Sequence, residues 1–597
     1  LASHIKIAHI PTKPKMRHRY AYTETVLFAI TATVLLVTAV DLPYSGILNE
    51  ICRSNATAKR CEVIRAMLAL YGSGVAVVSV VSFLTICRCG GTLCAHCLRC
   101  IRYIGRETSE TFRRLFETGQ LRHQAFWLAT IVAVGAAVRS FFLAQPMRYD
   151  EAYTFLQFVN GGVFDLFYYP LPNNHVFHTI LVRISVEFFG AHPVAIRLPA
   201  FVAGLVNIPL TFALARSLNA KPKAGFMAAS MMAVFPYLIL FDTMARGYSL
   251  FTLMFLCLVA TALRIASDPS PRLSVMMAMP VSLGLFVMPS FLFPFTGVML
   301  WLALVLLSHG HKPIWILTRV MVPCAIATAM FTAILYTPVF IASNGIQSVV
   351  ANRFVQGEPF HQFLSSLSPH IFSTARIFSR SIPMPLLVTL VILLIYGIYS
   401  TARERRSTTL LLLPMIFIGA LVVLFSKHAI PFARTWIYLL PLVFIFVDAG
   451  LAGIPWLRVL NLKKSLLALS VCAAAILMTQ NTISLYPDTG HFPEAPILAD
   501  ILAQEMAPQD SLNVRRTAGP PMRFYMKDKK FSADNSVSDA SSVTRNFFVV
   551  KPSRYSITEM TERNVRLLVS IGDAELYVAE MEKNTKTFQQ GDARNEE

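Results

Sequence analysis

Long apolar runs separated by short polar segments recur along most of this 597-residue chain. An α-helix needs roughly 20 apolar residues to cross the hydrocarbon core of a bilayer, and the runs are of about that length. The pattern therefore predicts 13 membrane-spanning helices, at residues 24–40, 66–86, 125–144, 194–215, 224–240, 248–266, 273–289, 291–308, 315–340, 384–400, 409–425, 436–454 and 465–484.

From Tyr486 onward the pattern becomes polar and mixed. It predicts a helix at 496–507, a turn at Ala518–Pro521, and strands at the apolar pieces Phe547–Val550 and Leu567–Val569. We therefore predict three parts, listed in chain order. They are an N-terminal accessory hairpin with a Cys-rich loop (1–124), a catalytic transmembrane domain (125–484) and a small α/β domain (485–597).

The composition excludes a soluble enzyme. Hydrophobic residues make up 55% of the chain and charged residues only 14%, against about 25% charged in a typical globular protein. The mean hydropathy is +0.55. The predicted fold class is thus an all-α polytopic membrane protein with about 13 transmembrane helices and a small C-terminal α/β extracytoplasmic domain.

The net charge of +20 is explained by topology. Basic clusters fall on one side of the predicted spans, as the positive-inside rule requires, when the N-terminus is cytoplasmic. These clusters are Lys13/Lys15/Arg17/Arg19, Arg113/Arg114, Lys221/Lys223, Arg403/Arg405/Arg406 and Lys463/Lys464. With 13 spans the C-terminal domain then lies outside, and attraction to anionic lipid accounts for the excess charge without a nucleic-acid partner.

The ten cysteines form three groups. Cys52 and Cys61 lie in the first outer loop, where a short disulfide suits an oxidising compartment. The dense Cys87–Cys100 cluster suggests zinc, reduced thiols or a lipidated stretch, and the spacing leaves these open because a second ligand pair is missing. Those in predicted spans, Cys257, Cys324 and Cys472, are expected to be small buried hydrophobes.

Carboxylates are costly beside a bilayer, so their positions are informative. One place pairs two of them at the outer end of a span, Asp150 and Glu151, directly after Arg148 and Tyr149. Adjacent carboxylates in a partly desolvated pocket can have separate pKa values and separate roles. The alternative is that Arg148 and the pair merely cap a helix in a solvated cluster.

Several motifs around this pair resemble the GT-C glycosyltransferases of the protein-mannosyltransferase and aminoarabinose-transferase type. Over roughly 125–455 they keep the order of that superfamily, so we expect a GT-C-like fold with an accessory N-terminal hairpin. The motifs are Pro172–His178, Phe188–Ala200, Ala245–Leu250 and Pro431–Pro441. In place of a lysine before a Pro-Pro pair, this chain has Asn173, Asn174 and His175.

The resemblance implies an enzyme that moves a sugar from a polyprenyl-phosphate carrier to a cell-envelope acceptor on the outer face of the membrane. We assign Asp150 as the base or orienting carboxylate for the acceptor hydroxyl, with Glu151 as its alternative. The phosphate of the leaving carrier needs cations and donors. Residues predicted to bind the donor phosphate are Arg246, Tyr248, Arg434, Lys427, His428, His175 and Asn174.

Some of these assignments have equally simple structural alternatives. His175 either contacts the donor, binds a metal, orients Asp150 or serves only structure, so a metal or other cofactor stays unknown. Arg197 is expected to fix a loop-to-helix junction, and Asp242 to pair with Arg246 at i,i+4. The outer loop at 341–382 is either a lid over the donor or a helix lying on the bilayer.

Two other functions compete with a transferase. A lipid-linked sugar flippase also needs many spans, but transporters usually place ionisable residues near the midplane and often have repeated halves. Here the spans are nearly free of acids and no repeat is evident. A non-catalytic receptor is disfavoured by the intact Asp150–Glu151 pair. The predicted setting is a bacterial inner membrane, with the C-terminal domain in the periplasm.

Overall fold

The computed structural model describes residues 121–219, 224–343, 345–350, 357–380, 382–404, 407–454, 474–483, 490–507, 509–514, 518–527, 545–561 and 564–580. Two compact units are distinguished in it. Of the described residues, the first contains Cys257–Leu283 and Val298–Thr337, and the second contains the rest. The cysteines of 1–124, the first two predicted spans and Cys472 lie outside the described residues.

Helices dominate the described residues. They are α1 (Leu121–Leu143), α2 (Tyr149–Thr154), α3 (Val176–Phe189), α4 (Pro193–Asn219), α5 (Phe226–Val234), α6 (Pro236–Asp242), α7 (Tyr248–Ser267), α8 (Pro271–Val287), α9 (Leu292–Ser308), α10 (Pro313–Ile316), α11 (Val322–Ala342), α12 (Gln347–Val350), α13 (Phe360–Ser379), α14 (Met384–Arg403), α15 (Ser407–Lys427), α16 (Leu440–Gly453), α17 (Ala495–Glu505) and α18 (Gly519–Met526). Single turns of 3₁₀ helix at Asp165–Phe167, Pro289–Phe291 and Ile557–Glu559, a longer one at Ala433–Leu439 and π-helical turns at Phe155–Val159 and Leu317–Met321 link or extend them.

Eight helices in the described part of the chain are long and apolar enough to cross a membrane. They are Gln124–Leu143, Pro193–Asn219, Tyr248–Ser267, Pro289–Ser308, Pro313–Ala342, Met384–Arg403, Thr408–Lys427 and Ala433–Gly453. Each coincides with a predicted span, and the prediction of an integral membrane protein built from apolar helices is confirmed.

Two predicted spans differ from the expectation. The stretch at 224–240 is divided into α5 and α6 at Phe235, because Pro236 has no N–H to continue the helical hydrogen bonds. Proline is instead favoured in the first turn of the new helix. The stretch at 273–289 forms α8, an apolar helix shorter than the eight above. Only residues 474–483 of the last predicted span are described, and they are helical.

Glycines set how closely α14 and α16 pack. A Cβ on Gly397 would collide with the carbonyl oxygen of Phe446, and one on Gly450 with that of Leu393. Small residues let membrane helices approach backbone to backbone, where dispersion replaces the missing hydrophobic driving force. In the first unit, the Ser282 hydroxyl of α8 donates to the carbonyl oxygen of Thr328 in α11 at 3.3 Å.

A buried ion pair holds α1 to α6. Arg139 donates to the Oδ2 atom of Asp242 through Nε at 2.9 Å and Nη2 at 2.7 Å. Its remaining donors reach the carbonyl oxygens of Gly135, Met232 and Ala233. The i,i+4 pair expected between Asp242 and Arg246 is therefore wrong. Arg139 satisfies the acid instead, and the Arg246 guanidinium donates to Thr154 and to the carbonyl oxygen of Asn173.

The predicted outer loop at 341–382 contains a long helix, α13. It has an inner side, on which Phe363 is fully buried, and a side with exposed apolar residues such as Phe372, which is 73% exposed. On the inner side, His370 accepts a hydrogen bond from the indole N–H of Trp436 at 2.9 Å. This helix therefore touches the turn that carries Arg434.

The C-terminal region forms the small α/β domain that was predicted. Its four strands, Ser511–Val514 (β1), Arg545–Val550 (β2), Arg566–Ile571 (β3) and Ala574–Glu580 (β4), lie in the order β1-β2-β4-β3. β1 and β2 are parallel, while β2 pairs with β4 and β4 with β3 antiparallel. The apolar core of the domain includes Leu498 of α17, Met522 of α18 and Phe547 of β2.

The predicted helix at 496–507 and both predicted strands are present, as α17, β2 and β3. The predicted turn at Ala518–Pro521 is wrong, because these residues begin α18. The proline pair occupies the first turn of the helix, where a missing N–H costs no hydrogen bond.

Candidate active site

The two adjacent carboxylates of α2 lie in different surroundings. Successive residues of an α-helix point about 100° apart. The Asp150 side chain keeps 13% of its surface exposed, whereas that of Glu151 is completely buried. The helix thus separates the pair into one accessible and one inaccessible acid.

Glu151 is saturated with hydrogen bonds. It accepts from Arg197 Nε at 2.8 Å and Nη2 at 2.7 Å, from the backbone N–H of Ala245 at 2.7 Å and from that of Arg148 at 3.1 Å. Burial by itself would raise the pKa of Glu151, but the Arg197 guanidinium and these donors together lower it below its usual value. Glu151 is therefore held as a carboxylate.

Arg197 joins Glu151 to the link between α1 and α2. Its guanidinium is completely buried and also donates to the carbonyl oxygens of Leu143, Gln145 and Pro146. This is the expected role at a loop-to-helix junction. Because Glu151 also holds Ala245, the residue before Arg246, it fixes α2 relative to the Arg246 segment.

Asp150 faces a second arginine. Its Oδ2 lies 3.7 Å from Arg434 Nη1, and the two side chains keep only 13% and 11% of their surfaces exposed. The Arg434 guanidinium also lies 4.6 Å from the ring centroid of Phe432 and 5.9 Å from that of Tyr248. Aromatic faces attract such cations, so two rings help to hold the cation next to Asp150.

His175 and Arg246 form a second pair of contacting residues in the site. Arg246 is 2% exposed. Its Nη1 donates to the hydroxyl of Thr154 at 3.1 Å and to the carbonyl oxygen of Asn173 at 2.9 Å. Its Nη2 lies 3.3 Å from His175 Nε2. The imidazole ring of His175 packs edge-on against Tyr248, with the ring centroids 5.2 Å apart.

The hydrogen bonding of His175 places an N–H donor, on Nε2, next to the Arg246 guanidinium. Burial, reinforced by Arg246, lowers the pKa of His175 well below its usual value, so the ring is neutral. Its Nδ1 accepts from the backbone N–H of Gly247 at 2.8 Å. A neutral imidazole then carries its proton on Nε2. Because guanidinium nitrogens are also donors, His175 and Arg246 together present N–H groups suited to a shared acceptor.

These residues close a circuit of contacts. Asp150 faces Arg434, Arg434 lies over Tyr248, and Tyr248 touches His175. Beyond His175 come Arg246 and then Thr154, one turn after Asp150 on α2. One carboxylate, two guanidinium groups and a neutral imidazole are thus linked through consecutive contacts. Such a set can take a proton at one point and bind an oxyanion at others.

Not all the predicted donor-binding residues lie in this circuit. The Asn174 side chain donates to the carbonyl oxygens of Leu166 and Tyr168, both at 2.9 Å, and accepts from Thr179 at 2.8 Å. It therefore shapes the loop before His175. Lys427 is exposed, and the His428 ring lies against Phe360 and Phe363 of α13. In the part of the chain that the structure describes, no contact joins these three residues to Asp150.

Two further buried residues, Tyr169 and His178, lie near the circuit. Tyr169 is 3% exposed, and burial raises the pKa of its hydroxyl. His178 is 1% exposed, neither of its ring nitrogens has a hydrogen-bond partner among the described residues, and burial lowers its pKa to about 3. The position of His178 one turn after His175 was a signal for a shared helix face. Nothing in the sequence marked Tyr169.

Metal ligands do not gather in the described ranges, where no group of three or more histidine, cysteine or acidic side chains could hold an ion. The predictions about cofactors thus stay open.

Comparisons with known proteins give a likeness of fold. No family model and no curated protein matches the sequence. The chain is similar to the crystal structure of ArnT from Cupriavidus metallidurans in the apo state, with 14% identity and a TM-score of 0.48 over 76% of this chain and 98% of that one. The same values apply to ArnT bound to undecaprenyl phosphate.

A second similar structure is the oligosaccharyltransferase of Archaeoglobus fulgidus in complex with zinc and sulfate. It has 12% identity and a TM-score of 0.41, over 70% of this chain and 67% of that one. Both likenesses concern the course of the backbone, so the roles of individual side chains follow from the site itself.

Proposed function

We propose that this protein is a membrane glycosyltransferase that moves a sugar from a polyprenyl-phosphate carrier to a cell-envelope acceptor, which is a glycan, lipid or protein. The reaction takes place at the outer face of a bacterial inner membrane. In this orientation the N-terminus is cytoplasmic and the C-terminal domain is periplasmic.

The observation that carries the proposal is the circuit around Asp150. An accessible carboxylate next to a site with two guanidinium groups and a neutral N–H donor matches a reaction that removes a proton and releases a phosphate. Both arginines are nearly buried, at 2% exposure for Arg246 and 9% for Arg434. Fixed charges in such a low-dielectric site act more strongly than they would in water.

In the proposed step the acceptor hydroxyl oxygen attacks the anomeric carbon of the carrier-linked sugar. Its proton passes to Asp150 as the new C–O bond forms. The bond between the anomeric carbon and the phosphate oxygen breaks, and its electron pair leaves with the polyprenyl phosphate. Arg246, Arg434 and the Nε2–H of His175 stabilise the charge that develops on that oxygen.

The other predicted residues act around this centre. Tyr248 supports the ring of His175 and one face of the Arg434 guanidinium. Glu151 keeps α2 and the Arg246 segment in register. Asn174 supports the loop that ends at His175. Lys427 and His428 remain predicted donor contacts that act outside the circuit.

The test compares wild type with Asp150→Asn, each purified and incubated with radiolabelled polyprenyl-phosphate sugars and membrane acceptors. A well-placed base contributes about 10²- to 10⁴-fold, so the variant should lose most transfer at an unchanged melting temperature. Equal transfer by both proteins would refute the proposed role of Asp150. Movement of labelled lipid across vesicles without transfer would instead identify a flippase.

A further inference from the structure

Three consecutive residues before Asp150 are each hydrogen-bonded to the C-terminal part of the chain. The backbone N–H of Met147 donates to the Tyr525 hydroxyl at 2.9 Å. Arg148 Nη2 donates to the carbonyl oxygen of Ile483 at 3.0 Å. The backbone N–H of Tyr149 donates to the carbonyl oxygen of Gly490 at 3.0 Å.

The Tyr149 bond satisfies the first backbone N–H of α2, and the other two satisfy buried donors just before the helix. The first backbone N–H groups of any helix lack partners within it. Met147 and Arg148 are completely buried, so water is not at hand to replace a lost partner. The entrance to α2 thus depends on residues that are more than 330 positions away in sequence, at separations of 378 for Tyr525 and 335 for Ile483.

Apolar packing supports the same junction. Phe524 of α18 joins a buried cluster with Met147, Ala152 and Phe155. The rings of Phe155 and Phe524 meet edge to face, with their centroids 5.3 Å apart. Edge-to-face pairs have a preferred geometry beyond simple burial, so α18 fixes the angle as well as the position of the chain around α2.

Gly490 is also suited to its place. It has a φ of +65°, and a Cβ there would collide with the Cβ of Tyr149. The left-handed backbone conformation favours glycine, and the close contact requires the absence of a side chain. The segment that enters the C-terminal domain therefore lies directly against the residue before Asp150.

We propose that the C-terminal domain determines the position of Asp150 in the active site, and that Tyr525 is a positioning residue for Asp150. This inference rests on the proposed transferase function. The domain acts through Met147 and Tyr149, which are bonded to Tyr525 and Gly490 and which set where the Asp150 carboxylate stands relative to Arg434. Tyr525 need not touch a substrate for this role.

The test is Tyr525→Phe in the full-length protein, because it removes one hydroxyl and keeps the ring. We expect kcat to fall by about tenfold while the KM for the donor stays within about twofold, since misplacing a catalytic group slows the chemical step. Amide hydrogen exchange in the peptide around 147–154 should rise. The matched control is Tyr577→Phe, which removes a hydroxyl bonded to Glu575 in the same domain and should change neither quantity.

The hydrogen-exchange and activity measurements distinguish a failure of the positioning role from a failure of the proposed transferase function. Wild-type exchange around 147–154 together with wild-type kcat in Tyr525→Phe overturns the positioning role, even when Asp150→Asn is inactive and the transferase proposal stands. Raised exchange in a protein whose Asp150→Asn variant is fully active overturns the proposed function alone. If Tyr525→Phe does not fold, Phe524→Leu tests the same junction by the same two measurements, with the same outcomes deciding.

Discussion

At the scale of single residues, the fold gives Asp150 and Glu151 different surroundings, one partly exposed and one completely buried. Sequence analysis assigns Asp150 as the base with Glu151 as the alternative, but no neighbouring residue distinguishes the surroundings of the two acids. Only the fold brings Arg197, 46 residues away from Glu151, into its partnership with that acid. A contact of this kind has no local signature, so the sequence predicted the pair and could not predict which member is accessible.

Glu151→Gln should be strongly destabilising. Removing the charge leaves Arg197 buried without its counter-ion, which typically costs about 3–5 kcal/mol. The free energy of unfolding in detergent, measured by denaturant titration, checks this.

Glu187→Gln is the matched control for that measurement. Glu187 pairs with Arg183 at i,i+4, but its side chain is 61% exposed, so the change should cost less than about 0.5 kcal/mol. Similar losses in both variants would contradict a structural role for the buried pair.

At the scale of elements, apolar length predicted the membrane helices well, because the bilayer imposes one simple requirement. The predictions failed at prolines, because a proline can end one helix or occupy the first turn of the next. Pro236 begins α6 inside a predicted span, and Pro520 lies in the first turn of α18 where a turn was expected. Proline marks both the end of one element and the start of the next, and only the packing around it distinguishes them.

Gly397→Ala should weaken the packing of α14 on α16. The methyl group would overlap the Phe446 carbonyl, and overpacking of this kind costs about 1–3 kcal/mol. That exceeds the gain in helix propensity of about 1 kcal/mol. A lower melting temperature is the expected result.

Gly162→Ala serves as the control, because a Cβ at Gly162 would meet only Asp165, at 3.9 Å. It should melt like wild type. Equal melting temperatures for Gly397→Ala and wild type would show that α14 and α16 accommodate the methyl group without loss of stability.

At the scale of the whole molecule, buried neutral histidines make stability depend on pH. Burial lowers the pKa of His178 to about 3 and that of His491, where Arg148 and Lys551 add to the effect, to about 4. In the unfolded chain both have a pKa of about 6.5. The unfolded state therefore binds protons first, and stability falls as the pH drops below about 6.5 towards these lower values.

His178→Leu should make this acid dependence shallower. Each such histidine contributes up to about 1.4 kcal/mol per pH unit between its two pKa values. Melting temperatures between pH 7 and 5 measure the slope. The exposed His309, replaced by Leu, should leave the slope as in wild type. Parallel curves for His178→Leu and wild type would contradict the assignment.

The hydrogen bond between Trp436 and His370 allows intrinsic tryptophan fluorescence to report on binding near Arg434. The chain has five tryptophans, and Trp436 stands two residues after Arg434 with its indole N–H on His370. Indole emission depends on nearby charge and on the polarity around the ring. A phosphate-bearing lipid that reaches Arg434 should therefore shift the fluorescence spectrum, and the shift should vanish in Trp436→Phe but persist in Trp127→Phe. Titrating the emission then yields a dissociation constant before any acceptor has been identified.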